Sequence, residues 1–183
     1  MEAMTLVLDQ RRWTREERDA LPDDGHRHEL IDGALVVTPS PKPLHQLMSS
    51  NLVAALQARC PQHLRVLHAP TDVALADDTV LQPDVLVVAR AQIGPERIDG
   101  VPLLAVEILS PSSRMVDRNL KLPRFERAGC PSFWLLDPQT PSLTAWDLDA
   151  GGRYVEVAHV PGDSSWTAAL PFPVTITPAD LLS

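Results

Sequence analysis

The chain has 183 residues, 44% of them apolar and 22% charged, with a formal charge of −8. That size and balance exclude a disordered chain or a small stapled scaffold, and predict one globular domain over residues 1–183 that buries about 70% of its unfolded surface. The acidic balance also excludes a protein that grips nucleic acid through its overall charge, because phosphate neutralisation by Lys and Arg supplies most of that binding.

A local basic strip is still compatible with it, since charges more than about 8 Å apart are largely screened. No apolar run approaches the ~18 residues of a membrane span, and MTLVL before Asp9 is too short for the core of a signal peptide. The expectation is a cytoplasmic protein without membrane contact. Cys60 and Cys130 show no metal spacing and each precedes a proline, so both read as free thiols. Eighteen prolines predict short elements joined by rigid turns.

In chain order, Thr14 reads as an N-cap with Glu16 and Glu17 in the first turn of a helix ending near Leu21 and Pro22. Asp32-Gly33 then predicts a hairpin between strands at Arg27 to Ile31 and Ala34 to Thr38, with Glu29 on the first. Pro39 to Pro43 reads as a rigid connector into a helix from Leu44 to Arg59. Its apolar face would run through Leu44, Leu47, Met48, Asn51, Leu52, Ala55 and Leu56, and Pro61 would stop it. His45 lies in its first turn, which suits a neutral donor or a phosphate contact, or simply a surface histidine.

Strands are predicted at Leu64 to His68 and Thr71 to Leu75, with a solvated turn at Asp77-Asp78. Asp84 opens an apolar strand to Ala89, a loop covers Ala91 to Gly100, and Leu103 to Leu109 is a second apolar strand carrying Glu107. Several strands are almost continuously hydrophobic, which predicts a sheet covered on both faces. Pro123 opposes an uninterrupted helix, so the following helix starts near Leu120 to Leu122 or kinks there, with Lys121 near its start and Gly129 at its end. Ser132 to Leu136 is a further strand with Trp134 in the core or on an assembly face. Leu143 to Leu148 and Tyr154 to Val160 form a hairpin around Gly151-Gly152, and the tail adds a short extended piece and a turn.

The chemistry is concentrated between Leu81 and Lys121. A lone buried carboxylate costs several kcal/mol unless compensated. If strands bring Asp84 and Glu107 within about 4 Å, they repel by roughly 1 kcal/mol in water and about 4 at an effective dielectric of 20. A divalent cation converts that repulsion into coordination, and carboxylate oxygens suit Mg²⁺. Lys121 could add a positive charge beside the pair, or merely form an i, i+4 ion pair with Asp117.

The Pro83-Asp84 pair, a gap, Glu107 and a displaced lysine resemble the PD-(D/E)XK nuclease superfamily. HELIDGALVVTPSP, PLHQLMSSNLVAAL, QPDVLVV, AVEILSPSSRMVD and KLPRFERAGCPSFWLLDP, in that order, resemble the Uma-two family of restriction-endonuclease-like proteins within it. The resemblance implies an α/β restriction-endonuclease-like fold, a mixed β-sheet flanked by helices with extra β-hairpins. It implies a metal-dependent endonuclease acting on nucleic acid, DNA first, with Mg²⁺ held by Asp84, Glu107, the backbone carbonyl of Ile108 and Glu29, and Mn²⁺ as a substitute. Glu29 matches an acid of the family's first segment, though a solvated strand acid reads equally well. Leu109 fills the usual lysine slot, so the resemblance moves the lysine to Lys121; His45, Asp117 and Arg114 are accessory candidates. Superfamily nucleases that cut both strands act as pairs, which gives the expectation of a homodimer. The alternative is a catalytically silent binding or regulatory module on the same fold.

Overall fold

The computed structural model describes residues 5–7, 11–22, 24–38, 40–111 and 113–183; Pro39, the start of the expected connector, lies outside them, as do Met4 and Leu8 of the amino-terminal MTLVL segment. Along the chain run β1 (Thr5–Val7), α1 (Arg15–Asp19), β2 (Arg27–Ile31), β3 (Ala34–Thr38), α2 (Pro43–Gln57), β4 (Leu64–His68), β5 (Val73–Ala76), β6 (Thr79–Leu81), β7 (Val85–Ala89), β8 (Ile98–Asp99) and β9 (Leu104–Ile108). A helical stretch follows as α3 (Arg114–Val116), a π-helical segment (Asp117–Lys121) and α4 (Leu122–Ala128). Then come β10 (Ser132–Asp137), β11 (Ser142–Leu148), β12 (Tyr154–Pro161), β13 (Trp166–Ala168), β14 (Val174–Ile176) and a closing 3₁₀ turn (Pro178–Leu182).

Among the described residues the strands form two six-stranded sheets, ordered β1-β3-β2-β6-β5-β8 and β12-β11-β10-β9-β7-β4, and the separate pair β13-β14. The second sheet is mixed: β9 runs parallel to β10 and antiparallel to β7. This is the mixed α/β architecture of the restriction-endonuclease-like expectation. Three residues, Gln82 to Asp84, carry the chain from β6 in the first sheet to β7 in the second. That crossing is what places residues of both sheets around one point.

The second sheet is covered on both faces, which explains its nearly unbroken apolar strands. On one face Val85, Val87, Leu104, Val106, Trp134 and Leu136 pack with Met48, Leu52 and Leu56 of α2. On the other, Ala105, Leu109, Phe133 and Leu135 meet Phe125 of α4 and Ile31, Val36 and Leu81 of the first sheet. Each fully buried side chain of this kind contributes about 1.5–3 kcal/mol relative to exposure. Trp134 is in the core, set edge-to-face against Trp166 at 5.6 Å. α2 turns its core face from Met48 onward; Leu44 and Leu47, expected on that face, are 47% and 39% exposed. These two belong to the helix's first turns, where the chain is only arriving at the sheet.

Local signals account for several boundaries. Thr14 and Glu17 form a reciprocal capping box at the start of α1. Asp32 and Gly33 both adopt positive φ, 49° and 82°, as a tight two-residue hairpin demands. Pro123 does not break the helical path. It occupies the first turn of α4, where no backbone donor is needed, and the preceding residues widen so that Leu122 N–H reaches the carbonyl of Asp117. Gly129 ends α4 in the left-handed conformation.

Candidate active site

The layer between the two sheets holds a cluster of charge. Glu29 on β2, Asp84 before β7, Glu107 on β9, and Asp117 and Lys121 on the π-helical segment are 1%, 3%, 1%, 2% and 3% exposed. Burial this deep is costly for any charge and requires partners. β7 pairs with β9 so that Val85 lies opposite Val106. Continued one step, that register puts Asp84 across from Glu107, and the Ile108 N–H, one residue on, reaches the Asp84 carboxylate at 2.7 Å. Glu107 shares its face with Ala105 and Leu109, which turns it toward the first sheet and α4.

The ammonium of Lys121 binds this cluster together. Its Nζ lies 2.9 Å from Glu29 Oε1, 3.1 and 3.2 Å from Glu107 Oε1 and Oε2, and 3.7 Å from Asp117 Oδ1. The wide π turn puts Asp117 and Lys121 on one side of the helical stretch, which a solvent-facing i, i+4 pair would not require. Glu29 also accepts the Gln82 backbone N–H at 2.7 Å. Asp84 is saturated differently: Arg27 Nη1 donates to Oδ1 at 3.1 Å, while His45 Nε2 and the Ile108 N–H donate to Oδ2 at 3.0 and 2.7 Å. The Ile108 contact comes from its N–H; the carbonyl was the group expected to act.

These contacts set the protonation of the site. Burial pushes Asp84 up, but the His45 hydrogen bond and the charges of His45, Arg27 and Lys121 outweigh it and hold the carboxyl well below the usual range. Burial pushes Glu107 well up; Lys121 opposes this, and Asp117, Asp84 and Glu29 reinforce it. Asp117 is raised to about 6 by burial, against the pull of Lys121 and a hydrogen bond from Ser113. Burial would lower Lys121, but Glu107, Glu29, Asp117 and Asp84 together raise it, so the lysine stays charged.

Four acids thus surround two permanent cations, Arg27 and Lys121, and the imbalance has a structural trace. Glu107 Oε1 lies beside Nζ but off any hydrogen-bond line, and it and Asp117 Oδ2 are buried oxygens without a hydrogen-bond partner. Hard oxygen donors in an under-neutralised pocket are the donor set a divalent cation takes, so the residues fit such an ion. As the side chains stand, no three His, Cys, Asp or Glu groups among the described residues form a ready coordination shell. Lys121 sits among three of the acids, and Asp84 is committed to protein donors. A cation entering here would exchange with those contacts.

Not every candidate joins the cluster. Arg114 instead pairs with Asp137 at 2.6 Å and is 42% exposed. Arg27 joins the cluster without a sequence signal of its own, since a single arginine on a hairpin strand carries none; its i, i+2 spacing from Glu29 is the one local hint. Beside Asp84 opens a cleft of about 410 Å³, lined by Arg27, His45, His68, Gln46, Gln82 and others.

Three comparisons bear on this arrangement. A crystal structure described as a "putative nuclease belonging to DUF820" from Anabaena variabilis superposes with a TM-score of 0.71 at 21% identity, covering 92% of this chain and 97% of that one. That likeness is one of fold. No curated protein matches the chain. The model of the Uma2 family, described as "Putative restriction endonuclease", matches residues 15–181, and the chain belongs to that family.

Proposed function

We propose that the chain is a divalent-cation-dependent nuclease that hydrolyses phosphodiester bonds of nucleic acid, DNA in the first place, with Mg²⁺ as the working ion and Mn²⁺ able to replace it. The observation that carries this reading is the buried Lys121 ammonium among Glu29, Glu107 and Asp117, beside an Asp84 that lines an open cleft. The family description and the nuclease-like neighbour support it. Asp84 and Glu107 would hold the cation, with Glu29 and the Ile108 carbonyl completing the oxygen set. When bound, the cation supplies Lewis-acid stabilisation of charge developing on the phosphate and makes water more acidic.

The remaining work falls to the chain. Lys121, kept charged by its acids, orients the attacking water or offsets charge growing on the phosphate, an interaction that strengthens toward the transition state. Asp117 holds Lys121 on the π turn. Arg27 and His45 fix the Asp84 carboxylate and present donors to the cleft, where a phosphate would approach.

The test is cleavage of supercoiled and single-stranded DNA with Mn²⁺ by wild type, Lys121→Met and the control Lys42→Met, with folding checked by circular dichroism. Losing an electrostatic group of this kind lowers rate by ~10²–10⁴, so Lys121→Met should lose cleavage while Lys42→Met retains it. Equal cutting by Lys121→Met would refute the lysine's role. Wild type that cuts no nucleic acid would favour the binding-module reading, which the net charge of −8 also favours.

A further inference from the structure

We propose that the site selects unpaired strands: the cleft beside Asp84 seats a single nucleotide of a single strand, and duplex is a poor ligand. This rests on the nuclease reading and names its substrate class. At about 410 Å³ the cleft has the scale of a small-molecule pocket, enough for one nucleotide and too small for the body of a double helix.

Its lining offers donors and an acceptor. The amino end of the fifteen-residue α2 reaches it through His45 and Gln46, and the N-cap residue Lys42 makes no side-chain capping bond. Pro43 has no N–H and the Gln46 N–H bonds the Lys42 carbonyl, which leaves the Leu44 and His45 amides of the first turn for an anion, and Arg27 lines the same space as His45. Gln82 belongs to the same lining. Gln82 is 8% exposed, its amide nitrogen donates to Asp72, and its Oε1 is buried without a partner while the residue lines the cleft. A bare phosphate would leave most of the cleft's volume empty, and the sugar and base of a nucleotide would fill it.

The rest of the surface is poorly suited to duplex. Among the described residues, eleven of the sixteen Lys and Arg side chains are already in ion pairs with acids. A duplex presents one phosphate charge per ~1.7 Å of axis and needs many free cations. One nucleotide held in a cleft needs few.

The experiment is fluorescence anisotropy of one short labelled oligonucleotide, alone and annealed to its complement, in EDTA so that binding is read without cleavage. The single strand should bind at least ~10-fold more tightly than the duplex, a difference of about 1.4 kcal/mol. Gln46 is exposed at the cleft and lies outside the charged cluster, so Gln46→Trp should narrow the cleft, weaken single-strand binding about tenfold and leave the unfolding midpoint unchanged. Unlabelled thymidine monophosphate should compete better than inorganic phosphate. Duplex binding as tight as single strand, an unaffected Gln46→Trp, or equal competition by phosphate would each overturn the inference. If any of these occurs while Lys121-dependent cleavage persists, this inference alone falls; absence of both binding and cleavage removes the nuclease reading with it.

Discussion

Arg18 and Lys121 are both buried cations ringed by acids, and the two rings are finished to different degrees. Arg18 donates to both oxygens of Asp72, to Asp19 at 2.9 Å and twice to the His28 carbonyl at 2.9 and 2.7 Å. Arg97 completes that network by pairing with Asp19 at 3.0 Å. Arg97 also meets the exposed Glu96 and Asp99 at 3.5 and 3.9 Å, and no side-chain atom of Arg18, Arg97, Asp19 or Asp72 is a buried orphan among the described residues. Around Lys121 the acids outnumber the cations, and Glu107 Oε1 and Asp117 Oδ2 lack hydrogen-bond partners. A saturated network fastens α1 to the first sheet. An under-neutralised one holds a deficit of positive charge that protons on Glu107 and Asp117, or a bound cation, offset. Gln82 joins the two, with its side chain on Asp72 and its backbone on Glu29.

The largest expected effect separates the two rings directly. Removing one partner from a buried ion network costs roughly 3–5 kcal/mol, so Lys121→Met and Arg18→Met should be similarly destabilised in urea unfolding with EDTA. Mg²⁺ should then stabilise Arg18→Met only as much as wild type, whose acid ring it shares, and Lys121→Met by more, because the cation replaces the missing ammonium and binds the folded state alone. Equal recovery in both variants would erase the distinction.

A somewhat smaller effect tests the protonation. The Asp117 carboxyl is raised from 3.8 to about 6, chiefly by burial. Its contribution to stability is therefore complete below pH ~4 and is lost as pH rises to about 6, a change of roughly 3 kcal/mol at about 1.4 kcal/mol per unit. Asp117→Asn should remove that slope from urea midpoints measured across the same interval in EDTA. Asp19 behaves oppositely: burial raises it, but Arg18 and Arg97 hold it below its ordinary value. Its contribution is present above the unfolded value and disappears as pH falls through the folded one, so Asp19→Asn should lose most at neutral pH. Parallel slopes in the two variants would contradict the comparison.

The smallest effect lies at the edge of the saturated ring. Thr14→Ala removes half of the capping box that starts α1, and should cost about 1 kcal/mol by thermal unfolding without altering cation affinity. A change in Mg²⁺ binding would mean the two networks are not separable.

What the sequence made readable follows from how local each signal is. The Asp32-Gly33 hairpin, the Thr14 cap and the Gly129 stop are fixed by adjacent residues, and the structure has them at those positions. β6 was not foreseen because Thr79 to Leu81 is too short to show alternation beside the Asp77-Asp78 turn. Pro123 announced an obstacle at the correct place, but a π segment as the remedy depends on the acids that Lys121 must reach. Acids at Asp84 and Glu107 were conspicuous as charges inside apolar strands. Arg27 was not, since what marks it is Asp84 from the connector into the other sheet, fifty-seven positions away.

The central claim is that the unbalanced ring takes a divalent cation, and calorimetric titration of Mg²⁺ and Mn²⁺ into the purified protein tests it most directly. Wild type should give a saturable binding isotherm that disappears in Asp84→Ala and persists in Arg18→Met. An isotherm unchanged by Asp84→Ala, or none in wild type, would contradict the account.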